Sequence, residues 1–224
     1  MNTQGKAFKL KIIVTGGHPG DPEYGCGGTV ARYVQEGHEV VFLYLNNGEV
    51  ADPQNLNGHL RGVRTAEAQK ACEILRCRPL FASQIDGDSI IDQTHYAEYR
   101  QILEDQQPDL VLTHWPIDNH ADHRANWMLV YDAWIKMKRG FGLYYYEVSN
   151  GEDTLMFNPT HYVDITAVEA QKRAACYAHA SQAPGRYYGV QERVTAFRGL
   201  ECGCRLAEGY IHQSQSTIGL PLAL

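Results

Sequence analysis

The sequence predicts an α/β fold: a three-layer domain with a mostly parallel central sheet. Three observations point there. Short β-prone apolar runs alternate with amphipathic helical stretches over the first two thirds of the chain. Two of the runs, around Ile12-Ile13-Val14 and Leu110-Val111-Leu112, are continuously apolar, as in strands covered on both faces. The length of 224 residues suits one such domain with a substantial core. No Ser/Gly linker, low-complexity tract or internal repeat divides the chain, so residues 1–224 read as a single domain.

Each element follows from local signals. Phe8–Val14 reads as the first strand, and a Gly/Pro-rich loop leads into a helix over Gly27–Gln35, closed by Gly37. His38–Leu45 is a second strand ending in the turn Asn46-Asn47-Gly48. Leu60–Arg76 carries Val63, Ala66, Ala71, Ile74 and Leu75 between charges and reads as an amphipathic helix. Leu80–Ile85 is a third strand, closed by Asp86-Gly87-Asp88, and Thr94–Asp105 a further helix. Leu110–His114 is the fourth strand and Asp122–Lys138 the helix after it. Strand, helix, strand in this order implies parallel pairing through right-handed crossovers, a Rossmann-like arrangement. The last third is less regular. Phe141–Val148 and Tyr162–Thr166 are β-prone, Ala167–Ala178 is helical, residues 181–185 break the pattern, and Val190–Tyr210 resumes a helical one.

Composition narrows the function. A net charge of −6 argues against a general nucleic-acid binder, which needs a basic face for phosphates. No apolar run reaches the length of a membrane span, and Met1–Lys6 lacks the apolar core of a signal peptide, so the expected location is cytoplasmic. The six cysteines read as reduced, structural thiols; Cys202-Gly203-Cys204 has poor spacing for a zinc knuckle.

Two loops carry chemistry. The first, after the first strand, holds His18, Asp21 and Glu23 between Pro19 and Pro22. The second, after the fourth strand, holds Asp118 and His120-Ala121-Asp122-His123. In a parallel sheet both loops lie at the carboxyl edge and can meet. If His123 joins His18 and Asp21, two imidazoles and one carboxylate form the three-ligand set of a catalytic zinc. His120 is then free for proton transfer, with Asp122 holding its ring. The plainer alternative is a polar loop that caps a helix, with Asp122 as N-cap. A third reading, a dinucleotide-binding oxidoreductase, fits the fold but not this loop, because no G-x-G-x-x-G follows the first strand.

His18-Pro19-Gly20-Asp21-Pro22-Glu23 with Gly25-Cys26-Gly27-Gly28-Thr29, and His120-Ala121-Asp122-His123, resemble the paired motifs of the LmbE/PIG-L zinc-dependent de-N-acetylases. Arg64-Thr65-Ala66-Glu67, Asp86-Gly87, Tyr162–Thr166 and His179-Ala180-Ser181-Gln182 extend the resemblance over most of the chain. It implies removal of an N-acetyl group from an N-acetylglucosamine-type sugar conjugate. It implies His18, Asp21 and His123 as ligands of zinc, with Fe(II) as the alternative metal. His120 becomes the acid or electrostatic partner, Asp122 its orienting group, and Arg64 and Asp86 contacts for substrate. The plain alternatives are that Arg64 pairs with Glu67 or Glu36 and that Asp86 only shapes a turn. The resemblance also implies a homo-oligomer, a trimer or hexamer.

One position departs from the pattern. The family places an Asp immediately before the ligating Asp, as general base, and this chain has Gly20 there. A positioned base contributes ~10²–10⁴-fold, so the substitution bears directly on turnover. Glu23 and Asp118 are the candidates for a displaced base. The remaining alternative is a zinc-bearing carbohydrate-binding protein without turnover.

Overall fold

The computed structural model describes residues 9–49, 59–148 and 153–216. Seven strands form one sheet, in the order β3-β2-β1-β4-β5-β7-β6. Its strands are β1 (Lys11–Gly16), β2 (Glu39–Tyr44), β3 (Arg78–Phe81), β4 (Leu110–His114), β5 (Gly142–Tyr146), β6 (His161–Asp164) and β7 (Ala207–His212). The helices are α1 (Asp21–Gln35), α2 (His59–Leu75), α3 (Gln93–Gln106), α4 (Ala121–Lys136), α5 (Glu169–Tyr177) and α6 (Pro184–Cys202). Strands β1 to β5 pair in parallel, and β7 runs antiparallel between β5 and β6.

The continuous apolar runs sit where their pattern requires. Every residue of β4, and all of β1 after Lys11, is buried. Alternate side chains feed two cores. Ile12, Val14, Phe42, Tyr44 and Leu112 pack with residues of α1, α2 and α5 on one face. Ile13, Val41, Leu43 and Val111 pack with residues of α3 and α4 on the other. The chain order reverses between β1 and β4, the position at which open α/β sheets leave a crevice beyond the strand ends.

Three expectations need correction. The first helix begins at Asp21, six residues before Gly27, so its glycines lie inside it. Packing explains them: a Cβ on Gly25 would stand 2.4 Å from the Tyr146 ring, and one on Gly28 2.5 Å from Ile165. Strand β3 spans Arg78–Phe81, which leaves Asp86 on a long loop. The last stretch is not one helix. Helix α6 starts at Pro184, suited to a first turn, and is capped after Cys202 by Gly203 with φ +84°; β7 follows. Phe8 of the expected first strand lies outside the described residues. Among the described residues no helix is long and apolar enough to cross a membrane.

Candidate active site

The loops after β1 to β4 leave the same edge of the sheet and bring the candidate residues together. The β1 loop ends at Gly20, whose φ of +112° turns the chain into α1. Asp21 opens that helix, and its Oδ2 takes the His18 backbone N–H at 2.7 Å. The same oxygen lies 3.2 Å from His18 Nδ1 and 3.1 Å from His123 Nε2. Two of the imidazoles expected as ligands, His18 and His123, therefore face one oxygen of the third, Asp21. His114 Nε2, which takes the Gly17 N–H at 2.9 Å, is 3.4 Å from it.

This donor set suits a divalent cation. One carboxylate oxygen faces more imidazole nitrogens than its two lone pairs satisfy, whereas imidazole nitrogens and a carboxylate around one ion would each use a lone pair. Asp21, His114 and His123, and also His18, His120 and His123, each bring three candidate donor atoms within 4.8 Å of one another.

Around these residues stand carboxylates that fix the rings. Asp118 Oδ1 lies 3.0 Å from His123 Nδ1, the carboxylate–histidine arrangement that orients a metal ligand. His18 Nε2 faces Asp122 Oδ2 at 3.0 Å and Asp86 Oδ1 at 3.1 Å. Asp122 also takes Gly87 N–H at 2.8 Å and Ser89 O–H at 2.8 Å. The Asp122 carboxylate thus serves His18 and the β3 loop, which corrects the expected Asp122–His120 pairing. The N-cap of α4 is His120, not Asp122: its Nδ1 accepts the Asp122 backbone N–H at 3.2 Å. Arg64 is buried and donates to the carbonyls of Pro19 at 2.8 Å and Gly48 at 3.1 Å, so it ties the His18 loop to the β2 loop.

Electrostatics follow from this crowding. Burial pushes His18 down, yet Asp122, Asp21 and Asp86 outweigh it and hold the ring well above the usual imidazole range. Burial likewise opposes the charge on His123, but Asp21 and Asp118 raise it to about 9. Burial and the charge of His123 push His114 down to about 4. Burial would raise Asp21; His123, His114 and His18 instead keep it well below the usual carboxylate range. His120 is lowered by burial and by the neighbouring His18 and His123.

A cavity of about 330 Å³ opens over the group, bordered by His18, Gly20, Asp21, His120 and His123 on one side. Arg64, Asp86, Tyr24, His179, Tyr187 and Gln191 also line it. Sequence reasoning gave no role to His114, and named His179 only within the resembling stretch His179-Ala180-Ser181-Gln182. His114 stacks on His123 with ring centres 3.9 Å apart. Its signal was a polar residue ending an otherwise apolar buried strand. His179 stands on the α5–α6 connection, 156 residues from the Glu23 it touches, and no spacing could reveal that.

Residues 13–134, more than half of the chain, match the model of a protein family described as PIG-L, GlcNAc-PI de-N-acetylase. The chain is 27% identical over 218 residues to a diacetylchitobiose deacetylase of Thermococcus kodakarensis, covering 89% of this chain and 81% of that protein. The crystal structure of a conserved protein from Thermus thermophilus, TT1542, is similar at a TM-score of 0.80 and 25% identity, over 96% of this chain and 99% of that one. The 4-carboxy-2-hydroxymuconate hydratase GalB of Pseudomonas putida shares the fold at a TM-score of 0.81 and 21% identity, over 96% and 100% of the two chains.

Proposed function

From its membership of the PIG-L family of de-N-acetylases, to which this chain belongs, we propose that it hydrolyses the N-acetyl group of an N-acetylglucosamine-type sugar conjugate with a bound divalent metal. The observation that carries this reading is the convergence of His18 Nδ1 and His123 Nε2 on Asp21 Oδ2, among the residues that line a cavity of about 330 Å³.

His18, Asp21 and His123 would hold the ion, zinc in the first instance and Fe(II) as the alternative. When bound, the metal would polarise the acetamide carbonyl and acidify the attacking water. The protein's own groups do the rest. Asp118 holds the His123 ring from behind, and Asp122 and Asp86 hold His18. His120 spends Nδ1 on the α4 cap, which leaves Nε2 to meet substrate. From there its Nε2–H stabilises the developing oxyanion. Arg64 keeps the His18 loop in place, and its position in the cavity wall also makes it a contact for sugar hydroxyls.

The first test is acetate release from N,N'-diacetylchitobiose and other N-acetylglucosamine conjugates, before and after chelation and after readdition of zinc or Fe(II). Release that needs the metal supports the reading. In His120→Ala, turnover should fall ~10²-fold or more with metal content unchanged; loss of metal would make His120 a ligand instead. Gly20 favours a second reading, a carbohydrate-binding protein without turnover. Calorimetric saccharide binding with no acetate released would select it. The cytoplasmic location and the trimer or hexamer expected from the resemblance remain proposals of the same rank, the latter checked by light scattering.

A further inference from the structure

We propose that Cys202 and Cys204 form a reversible dithiol–disulfide site, closed by a small-molecule disulfide such as glutathione disulfide. The site stands apart from the hydrolase reading and does not depend on it.

The turn after α6 brings the two thiols together. Residues two apart point to opposite faces of a strand and to well-separated sides of a helix, so their side chains do not ordinarily meet. Here Cys202 is the last residue of α6, and Gly203 follows with φ +84° and ψ 23°. That left-handed residue turns the chain back on the helix. The N–H groups of Gly203 and Cys204 both reach the Gly199 carbonyl, at 2.8 and 3.0 Å. Cys204 is thereby folded against the last helical turn, and its Sγ lies 3.6 Å from Cys202 Sγ. A Cβ on residue 203 would meet nothing within 4 Å among the described residues, so the glycine answers to backbone conformation rather than to space.

The surroundings leave the pair open to a reagent. Both cysteines are partly exposed, whereas Cys26, Cys72 and Cys176 are buried. In the reduced chain the Cys204 S–H donates to the Leu206 carbonyl at 3.4 Å, and the Cys202 S–H to the Gly199 carbonyl at 3.8 Å. Thiols are weak donors, so forming the S–S bond gives up little. The sulfurs have only about 1.6 Å to close before they reach bonding distance. The backbone already holds them near, so closure costs little chain entropy. A disulfide spanning one residue is a tight ring, and strained, exposed disulfides are the readily reduced ones. Reversibility follows.

The step is a pair of thiol–disulfide exchanges. One protein thiolate attacks a sulfur of glutathione disulfide, and a glutathione thiolate leaves. The second protein thiolate then attacks the mixed disulfide, and the second glutathione thiolate leaves. Each protein sulfur first gives its proton to solvent, and each departing thiolate takes one up. The protein loses two hydrogens, and one glutathione disulfide becomes two glutathione thiols.

The test incubates the folded full chain with glutathione disulfide, traps remaining thiols by alkylation in denaturant, and maps the products by mass spectrometry. Wild type should lose two of its six alkylatable thiols, become two hydrogens lighter and carry one Cys202–Cys204 bond. A dithiol reductant should restore all six. Cys202→Ser and Cys204→Ser should close no disulfide and should instead hold one glutathione on the cysteine that remains. The same oxidation in denaturant, where the turn is lost, should scatter disulfides over the six cysteines. A folded wild type that keeps all its thiols, stops at a glutathione adduct, or closes another pair such as Cys72–Cys77 would overturn the site. So would a folded chain that yields the same mixture as the denatured one.

Discussion

His18 and His123 set a competition between protons and metal at one carboxylate. In the metal-free protein both imidazoles are raised, His123 to about 9 from an ordinary 6.5. Their contribution to folding is therefore complete below pH 6.5 and is lost as pH rises through about 9. Asp21 is depressed, so its contribution is present above its ordinary 3.8 and is lost on acidification. The chelated protein should melt highest between those limits. Metal ligation requires the deprotonated rings, so zinc affinity should climb from pH 6.5 to 9, with about two protons released per ion at neutral pH. Calorimetry in buffers of different ionisation enthalpy measures that count; release of none would remove both histidines from the ligand set. His123→Ala should sharply lower zinc content by elemental analysis. Gly20 adds a conformational constraint. At φ +112° a residue with a side chain is strained, so Gly20→Asp should cost about 1–2 kcal/mol, even though its Cβ meets nothing closer than 3.6 Å. For a chain of this length that is a fall of roughly 2–8 °C in Tm by calorimetry. If the restored carboxylate nonetheless faces the attacking water, the rate should rise ~10-fold or more.

Among the elements, α1 joins packing to chemistry. Asp21 sits at its N-terminus, where the helix dipole favours a carboxylate, and its fourth and seventh residues beyond that point are glycines pressed on neighbours. A methyl group on Gly25 would meet Tyr146, whose O–H holds the Thr15 carbonyl at 2.6 Å just before the His18 loop. Gly25→Ala should therefore destabilise by about 1–3 kcal/mol, against the usual gain of Gly→Ala in a helix. Gly189 in α6, around which a Cβ would find open space, is the control: Gly189→Ala should stabilise by about 0.5–1 kcal/mol. Equal responses in denaturant melts would show that propensity, not the approach of Tyr146, governs Gly25.

At the scale of the whole molecule, one buried ion pair ties the irregular last third to the regular part. Lys172 of α5 meets Glu208 of β7 at 2.6 Å, with both side chains almost wholly buried. Glu208 also takes the N–H groups of Gly28 at 2.9 Å and Thr29 at 2.7 Å in α1. Removing the lysine leaves an uncompensated carboxylate inside the protein, so Lys172→Ala should cost about 3–5 kcal/mol. Lys172→Met with Glu208→Gln should recover part of that loss in the same denaturant melt. If the double variant is no better than Lys172→Ala, the pair acts through packing rather than charge.

The succession of the first four strands along the chain and the edge that carries the site were legible from local pattern. Leu110–His114 reads the same in sequence and structure, because a strand buried on both faces must be continuously apolar. The crowding of His18 and Asp21 on one loop, and of His120 and His123 on another, was equally local. What the sequence missed has a common cause. Residues 21–26, with Gly25 among them, look like a loop until Tyr146 is seen pressed against Gly25. The β7 strand looks helical until its place between β5 and β6 supplies partners on both sides. Asp122 reads as the neighbour of His120, yet its carboxylate turns to His18, and Glu23 turns to His179. The sequence by itself determined the fold class and the residues gathered at the sheet edge, since periodicity and short-range spacing are properties of neighbours in the chain. Which carboxylates His18 and His179 face across the fold was decided only in three dimensions, where residues far apart in the chain, such as Asp122 and Glu23, become neighbours.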